Sequence, residues 1–545
     1  MTVRALLFIA IASITFPMHA FGQGSNAALS GTVTDTTSAV IPGVDVTVEN
    51  RRTGVSSKTI SNEAGIYSFP SLQPGLYRII AELPGFKKLI QNNINLEVAA
   101  RASINLQLEV GGTETVVEVS TQMDTALALG TSSIGGMITG QKIQELPLPA
   151  RNALDLVGTQ AGIVGDNLAG ARIGSLNVTR DGMNVMEQHI NQGVNSVITT
   201  TTDMIQEVRV VTSPADAEYG RGAGQVQMLT RSGTNEFHGS IFEYHRDTAL
   251  NANTWFNNQR GIPRNVLIRN QFGGRVGGPI VKNKTFFFFL YDAQREVTKN
   301  SVTSNVFTER ARLGFFRFYP GVLNANANAA VPTVNVDGTP RRPTTAAGDL
   351  QEINLFGKDP NRSAMDSTGA VAAMLKLMPL PNDFRVGDGL NTAGYTWSRD
   401  GGERRDQYNI KIDHTFNSTH TANFTFTREH QDRVNGFLAT PFPGGPSGFS
   451  NNRDYLFNLN VVSTISPRVV NEFRIGGQHA KFWSPAPWDV PENDSQILKA
   501  NAQRYVIDFI TTGTGNVTTG GVTDPITRTM TRKAGFHLFT TCRTV

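Results

Sequence analysis

After Asn235, polar and apolar residues alternate in short runs, and few folds accommodate this pattern over so long a stretch. It is clearest between Tyr408 and Thr427, where two apolar-alternating runs flank an Asn-Ser-Thr turn. Strands of this kind have one apolar and one polar face. The aromatic residues fall on the apolar face, which is typical of strands that contact lipid, although a soluble sandwich can also alternate. The apolar set is Tyr408, Ile410, Ile412, Ala422, Phe424, Phe426, Tyr455, Phe457, Leu459 and Val461.

Apolar runs elsewhere in the chain are short. The longest conspicuous one after the amino-terminal segment is Phe286–Leu290, whereas a membrane-spanning helix needs about 20 apolar residues. Within a bilayer, only helices and closed barrels satisfy all backbone hydrogen-bonding groups. If the chain resides in a membrane, we therefore expect a transmembrane antiparallel β-barrel.

The first 24 residues have the pattern of a signal peptide. Arg4 supplies an early positive charge, the run Ala5–Phe16 is mostly apolar, and Ala20 and Gly22 offer small-residue cleavage sites. We expect residues 1–24 to be removed on export.

Composition favours β structure and excludes several classes of protein. Charged residues make up 17% of the chain and glycines number 53, whereas soluble domains average about 25% charged residues. The net charge of +4 is spread along the chain, so we expect no nucleic-acid partner. Cys542 is the only cysteine, which excludes an intramolecular disulfide and a cysteine-based metal site.

Residues 25–110 have the pattern of a small β-sandwich. Val44, Val46 and Val48 alternate with polar residues, as do Ile104, Leu106, Leu108 and Val110, so each strand has one face to bury. Pro-Gly and Asn-containing turns separate the runs. The aromatic side chains either form the core, which we favour, or line a carbohydrate-binding face; they are Tyr67, Phe69, Tyr77 and Phe86.

Several motifs resemble the plug-to-barrel junction of TonB-dependent outer-membrane receptors, in particular the Oar-like branch. These motifs are Ala217–Arg221, Thr230–Gly239, Asn251–Asn253 and Arg269–Gly274. The amino-terminal part resembles the carboxypeptidase-regulatory-like module of the same branch, through Gly31–Asp35, Ile41–Val48, Asn62–Phe69 and Pro74–Tyr77.

The resemblance implies a mainly β chain with three folded parts. They would be a prealbumin-like β-sandwich (25–110), an α+β plug domain (122–235) and a partial transmembrane antiparallel β-barrel (236–545), with residues 111–121 as a linker. Within the plug, Asp181-Gly182 is a tight hairpin signal. Leu154 and Val157 share one face of a short helix, and residues 205–211 form a half-buried strand. Residues 318–400 show little alternation and are expected to form long extracellular loops.

The linker contains a segment that resembles a TonB box, through which such receptors are pulled by β-strand addition. It comprises Thr115, Val116, Val117, Glu118 and Val119. Glu118 departs from the usual family pattern. The alternative is that the segment is simply the last strand of the sandwich, or part of the linker.

Six charged residues of the plug are the most promising candidates for a specific role. We expect them to form a latch of salt bridges between the plug and the polar lumen wall, rather than to contact a solute directly. They are Arg180, Asp181, Glu207, Arg209, Glu218 and Arg221.

The resemblance implies an outer-membrane receptor of a Gram-negative bacterium. It would import a bulky solute, for which the sandwich suggests a saccharide or peptide, with outer-membrane lipid and the TonB-ExbB-ExbD complex as partners. The alternatives are a surface adhesion protein that uses the barrel as an anchor, and a non-functional fragment of a receptor. We expect no catalytic residues, metal or cofactor, because the histidines lack H-x-x-E and H-E-x-x-H spacings.

The barrel region is also short for the 22 strands that the family closes around its plug, at about 10 residues per strand. The alternation fades after Trp483, and we expect a carboxy-terminally truncated or frame-shifted receptor with eight to ten barrel strands.

Overall fold

The computed structural model places most of the 545-residue chain. It describes residues 25–111, 116–120, 134–164, 167–168, 171–172, 175–186, 194–213, 222–259, 261–355, 379–434, 449–466, 469–483, 506–508, 521–523 and 535–544. The described residues therefore do not include the predicted signal peptide (residues 1–24), Thr115, Glu218 or Arg221.

The amino-terminal part is a β-sandwich of two sheets. One sheet has the order β4-β1-β7 with β8 also paired to β1, and the other has the order β3-β2-β5-β6-β9. The strands are β1 (Ala27–Asp35), β2 (Asp45–Asn50), β3 (Ser56–Ile60), β4 (Ile66–Leu72), β5 (Gly75–Glu82), β6 (Lys88–Leu96), β7 (Arg101–Ser103), β8 (Leu106–Leu108) and β9 (Val116–Ser120).

The residues buried in the sandwich core are largely those that the alternation of polar and apolar residues predicts. Val44, Val46 and Val48 are fully buried, whereas Val110 is 73% exposed. The inward position predicted for Val110 is wrong, because it lies beyond the end of β8 and forms an isolated bridge to Phe86.

The sandwich aromatics belong to the core rather than to a binding face. Tyr67, Phe69 and Tyr77 are buried, and Phe86 packs against the same cluster. The Tyr67 hydroxyl donates to the Ile104 carbonyl at 2.7 Å. These rings therefore supply apolar area to the sandwich interior, in agreement with the favoured interpretation.

A central domain (residues 134–230) follows. Its five-stranded sheet has the order β10-β15-β16-β13-β14. It contains β10 (Ile134–Thr139), α1 (Gly140–Glu145), a 3-10 helix (Ala153–Thr159), β11 (Ile163–Val164), β12 (Asn167–Leu168), β13 (Leu176–Arg180), β14 (Met183–Asn184), β15 (Ile205–Ser213) and β16 (Gly224–Thr230).

Local signals in the central domain are largely confirmed. Leu154 and Val157 are buried on the 3-10 helix. Asp181 and Gly182 have φ values of 50° and 77° and join β13 to β14, as a primed hairpin turn requires. The prediction that residues 205–211 form a half-buried strand is wrong, because most residues on both faces of this strand are buried.

Nine of the remaining strands form one large antiparallel sheet with the order β17-β18-β19-β23-β24-β25-β26-β29, in which β22 is also paired to β23. Two separate two-stranded sheets are formed by β20 with β21 and by β27 with β28. The elements are β17 (His238–Asp247), a 3-10 helix (Thr248–Leu250), α2 (Trp255–Gln259), β18 (Val266–Val281), β19 (Thr285–Phe307), α3 (Glu309–Arg312), β20 (Phe315–Phe318), β21 (Gln351–Asn354), β22 (Asp383–Gly387), β23 (Thr392–Thr415), β24 (His420–Val434), β25 (Phe449–Ser466), β26 (Val469–Trp483), β27 (Val506–Asp508), β28 (Gly521–Thr523) and β29 (Gly535–Thr544).

The two faces of the large sheet have opposite character. Ile410 and Ile412 are 38% and 36% exposed, whereas the alternating residues Asn409 and Lys411 are 0% and 4% exposed. The predicted alternation is confirmed: apolar side chains lie on the outer face, and polar side chains on the inner face are buried by the central domain. Phe288 and Leu290 are exceptions that extend the apolar core of the central domain.

The ends of the large sheet also differ. The connections from β18 to β19, from β23 to β24 and from β25 to β26 are short and lie at one end, and longer connections lie at the other. Bacterial barrels have short periplasmic turns and long extracellular loops. Among the described residues, no helix has the length and hydropathy that a bilayer-spanning segment requires.

The predicted loop region at 318–400 is too long. β23 already begins at Thr392 and pairs residue by residue with the end of β19. Before it, the β20–β21 hairpin stands beside a small apolar cluster of Tyr319, Ala346 and Leu390. Polar and apolar residues alternate too little here for these strands to be recognised in the sequence.

Candidate functional site

The Asp181 carboxylate lies at the interface between the central domain and the large sheet. It accepts hydrogen bonds from the Thr230 backbone N–H at 3.0 Å and from the Thr230 hydroxyl at 2.6 Å. The Lys411 Nζ atom of β23 is 3.6 Å from the carboxylate and donates to the Thr230 carbonyl at 2.9 Å. Burial would raise the pKa of Asp181, but Lys411 and the Thr230 donors outweigh it and hold this pKa below its usual value.

Side chains of neighbouring strands in the large sheet donate hydrogen bonds to the backbone of the Asp181-Gly182 turn. Asn458 Nδ2 of β25 donates to the Asp181 carbonyl at 2.9 Å, and Arg474 Nη1 of β26 donates to the Gly182 carbonyl at 2.9 Å. The Thr425 hydroxyl of β24 is 3.4 Å from the Asp181 carboxylate. Four consecutive strands, β23 to β26, therefore hold one hairpin, and we call these contacts the Asp181 latch.

Arg180 extends the latch by one residue. Its side chain is buried, and its Nη2 atom donates to the Thr427 hydroxyl of β24 at 3.0 Å. Burial lowers the pKa of the Arg180 guanidinium to about 10, and the negative charges of Asp181 and Glu429 oppose this shift. Arg180 therefore keeps its charge at neutral pH.

A second group of contacts joins the loop before β15 to the large sheet. The Glu429 carboxylate accepts from the Thr199 backbone N–H at 3.1 Å and from its hydroxyl at 3.2 Å. Gln407 Nε2 donates to the Thr199 carbonyl at 2.6 Å. Thr199 lies in a run of threonines with no charge or turn signal, so nothing in the sequence marked it as a candidate.

Asp203 carries a third group of contacts. Its carboxylate pairs with Arg151 at 2.6 Å and with Arg275 of β18 at 3.5 Å. The Arg151 guanidinium lies 3.6 Å from the centre of the Tyr244 ring of β17. Asp203 is the single charge in a polar run (199–203), a signal that could have marked it as a candidate.

Glu207 and Arg209 contact the sandwich rather than the lumen wall, so the predicted latch partner is wrong for these two residues. The Glu207 carboxylate accepts from the Val98 N–H at 3.1 Å. Arg209 Nη1 donates to the carbonyls of Val98 and Ala99 at 3.1 and 2.5 Å. Both residues lie on β15, whose pairing with β16 and β10 directs this part of the strand toward the sandwich instead of toward β23–β26.

This contact is expected to depend on pH. Burial raises the pKa of Glu207, with a further contribution from Glu97; the Val98 N–H and Arg52 oppose the shift. A carboxyl group with a raised pKa in the folded state stabilises that state at low pH, and the contribution is lost as pH rises through the raised pKa. We therefore expect the folded state in which Glu207 is buried to be more stable at pH 5 than at pH 8, even though the Val98 N–H bonds the ionised carboxylate more strongly.

Limited proteolysis between the sandwich and the central domain, measured at both pH values, checks this expectation. Glu207→Gln should reduce the pH dependence, and Glu97, whose pKa burial also raises, should account for what remains. Glu109→Gln, at an exposed ion pair with Lys87, is the matched control. A pH dependence that persists undiminished in Glu207→Gln would contradict the assignment.

The described part of the TonB-box candidate, Val116–Val119, lies in β9. This strand pairs in parallel with β6, with Lys88 opposite Val116 and Asn92 opposite Ser120. The structure thus places these residues in the last strand of a sandwich sheet, which was the alternative that the sequence left open.

The chemistry of the interface is that of hydrogen bonds and ion pairs that join two domains. Within the described ranges, no group of three or more His, Cys, Asp or Glu side chains could hold a metal ion.

Comparisons with known proteins identify two domain families in the chain. Residues 28–109 match the carboxypeptidase regulatory-like domain, and residues 229–539 match the outer membrane beta barrel domain. The TonB-dependent transporter Oar of Myxococcus xanthus is 27% identical over 299 residues, which are 51% of this chain and 28% of that protein. The chain thus matches well under half of the length of this relative.

Two solved structures of receptors also align with the chain. The siderophore receptor PirA from Acinetobacter baumannii has 15% identity and a TM-score of 0.29, and the match covers 64% of this chain and 48% of that chain. The ferric-catecholate import receptor Fiu from E. coli K12 has 11% identity and a TM-score of 0.27, with 76% and 66% covered.

The barrel match extends over more than half of the chain, and the large sheet has the expected apolar outer face and polar inner face. The protein therefore belongs to the outer membrane beta-barrel domain family and resides in the outer membrane.

Proposed function

We propose that the chain is part of a TonB-dependent receptor that binds a bulky solute at the outer face and releases it to the periplasm. In this proposal the central domain is the plug, and TonB, energised by ExbB and ExbD, pulls on residues 115–119 to shift it. The divisions at residues 110, 121 and 235 are the domain boundaries of this proposal. The solute class, a saccharide or a peptide, is suggested only by the appended sandwich.

The observation that supports this proposal best is the polar character of the interface around the central domain. The inner face of the large sheet buries amides, hydroxyls and charges against it, among them Gln407, Asn409, Lys411, Thr425, Thr427, Glu429 and Asn458. Water can replace such hydrogen bonds at a net cost of about 0.5–1.5 kcal/mol each between neutral groups and about 1.5–3 kcal/mol where one group is charged. A polar interface therefore lets the central domain move without exposing a large apolar surface.

The alternative is an adhesion protein that uses the large sheet as an anchor. Exposed aromatic side chains in the connection between β17 and β18 favour this alternative, since Trp255 and Phe256 are 67% and 64% exposed. Such a protein would function without residues 115–119, whereas a receptor would not.

Binding of the purified carboxy-terminal domain of TonB to the detergent-solubilised chain tests the proposal. We expect Val117→Pro to weaken binding at least about tenfold, because proline removes a backbone donor from an added strand. Thr125→Pro, outside the candidate segment, is the matched control. Equal binding by wild type and Val117→Pro would contradict the role of this segment and favour the adhesion function.

A further inference from the structure

The outward-facing side chains of β24, β25 and β26 change character part of the way along these strands. On β24, Phe424 and Phe426 are followed on the same face by Arg428 and His430. The register places the same change on the other two strands. The apolar outward positions are Phe424, Phe426, Phe457, Leu459, Phe473 and Ile475, and the basic ones are Arg428, His430, Arg453, His479 and Lys481. We call the second group the basic patch.

The basic patch occupies two adjacent rows across the three strands. Arg428, Tyr455 and His479 are successive Cα partners and form the first row. The other three residues of the patch form the second row, one outward position further along each strand. Side chains that lie opposite each other on one face have Cβ atoms about 4.5–5.5 Å apart. The basic side chains therefore lie close together on the outer face of the large sheet.

Protein carboxylates neutralise only part of the positive charge of the patch. Asp432 pairs with Arg453 at 3.2 Å and with His430 at 2.9 Å. Among the residues that the structure describes, no carboxylate lies within salt-bridge distance of Arg428 or Lys481. Both of these side chains are exposed, so their charges are available to an anion.

The neighbouring strand β23 does not supply the missing negative charge. Its outward carboxylate at this level belongs to Asp406, the Cα partner of His430. Asp406 already pairs with Arg295 at 2.7 Å and accepts from the Tyr291 hydroxyl at 2.7 Å. The excess positive charge on β24–β26 therefore fits an anionic partner from outside the chain.

The patch lies where the headgroups of a bilayer meet its acyl chains. The short connections of the large sheet lie beyond the apolar end of β24–β26, and such connections face the periplasm in bacterial barrels. The opposite boundary of the apolar zone therefore faces the outer leaflet. Tyr455 marks this boundary, as tyrosines do at membrane interfaces, and the Arg428 guanidinium lies 5.7 Å from the centre of its ring.

We propose that the basic patch binds a phosphate-bearing lipid of the outer leaflet. Arg428 and Lys481 hold the phosphate, and the acyl chains lie against Phe426 and Phe457. A guanidinium and an ammonium both supply the donors that phosphate oxygens accept. A soluble anion would leave the adjacent apolar residues without a contact, whereas a lipid fits both halves of this surface. The inference goes beyond the proposed function, because it needs residence in the outer membrane and not transport.

Binding of diphosphorylated lipid A to the detergent-solubilised full chain, measured by native mass spectrometry, tests the inference. We expect Arg428→Gln with Lys481→Gln to weaken binding at least about tenfold, because each basic residue near an anionic lipid contributes to the attraction. Lys282→Gln with Lys284→Gln removes the same charge from exposed positions in the turn between β18 and β19, and it is the matched control. Arg428→Lys with Lys481→Arg keeps both charges and should bind within about threefold of the wild type.

Two further ligands separate a lipid site from a site for any anion. Lipid A without its phosphates should bind the wild-type chain at least about tenfold more weakly, because the charged partner of the patch is then missing. Inorganic phosphate should not displace diphosphorylated lipid A. Both comparisons use the wild-type chain, so they do not depend on how the variants fold.

Four results would overturn the inference. They are unchanged binding by Arg428→Gln with Lys481→Gln, an equal loss in the control variant, equally tight binding of lipid A without phosphates, and displacement by inorganic phosphate. The second would show attraction to net charge alone, and the last would indicate a site for a soluble anion. Each of them leaves the receptor proposal standing, because that proposal does not use the outer face of β24–β26.

Discussion

Replacing Asp181 by asparagine is expected to lower the free energy of unfolding of the central domain by about 3 kcal/mol. Removing one partner of a buried ion pair costs about 3–5 kcal/mol, and we expect the lower value because Asp413 also attracts Lys411. Asparagine tolerates positive φ values, so the turn at φ 50° is retained. The substitution removes the charge and one of the two carboxylate oxygens that accept from Thr230. Urea titration of the purified chain in detergent, followed by proteolysis of the central domain, measures the effect.

Two further variants separate the ion pair from general damage. Asp181→Asn combined with Lys411→Met should recover part of the loss, because the buried ammonium that has lost its Asp181 partner is then removed; the recovery is incomplete because Asp413 also faces Lys411. Asp400→Asn is the matched control: its pair with Lys299 spans 3.1 Å between exposed side chains and should contribute less than about 1 kcal/mol. A loss in Asp181→Asn no larger than that in the control would contradict the latch.

Replacing Gly233 by alanine is expected to destabilise the link between the central domain and the large sheet by about 3 kcal/mol, near the upper end of the usual cost of overpacking. A Cβ atom at this position would lie 2.3 Å from the Phe287 carbonyl oxygen and 2.6 Å from that of Gly278. Both oxygens belong to paired strands, β18 and β19, whose backbone cannot move aside cheaply.

The same urea titration and the rate of proteolytic cleavage between residues 231 and 237 measure this effect. Gly158→Ala is the matched control, because no atom of the described residues lies within 4 Å of the Cβ that alanine would add there, and the φ of Gly158 is ordinary. If the two variants unfold at the same urea concentration, the close approach at Gly233 does not constrain the link.

Local periodicity explains why the architecture could be predicted. Val46 in the sandwich and Ile410 in the large sheet each follow a period of two, and the period determines which face each residue occupies. Asp181-Gly182 could be placed for the same reason, since the backbone conformation of a tight turn depends on the residues within it. Each of these predictions depends on neighbours in the sequence.

The partners of the charged residues could not be predicted in this way. Arg180 and Arg209 look alike in the sequence, yet one contacts Thr427 of the large sheet and the other contacts Val98 of the sandwich. Thr199 carries no local signal and still binds Glu429, 230 residues away. Such pairings arise when distant segments are brought together by strand order.

The β class, the sandwich and the two-faced strands of the large sheet follow from the amino-acid sequence, because hydrophobic alternation and turn chemistry act over a few residues. The packing of distant segments sets which strands hold the Asp181 hairpin, that Glu207 and Arg209 contact the sandwich, and that residues 116–120 lie at a sheet edge. These features depend on the packing of separate domains, and a contact between domains leaves no periodic signal in either segment.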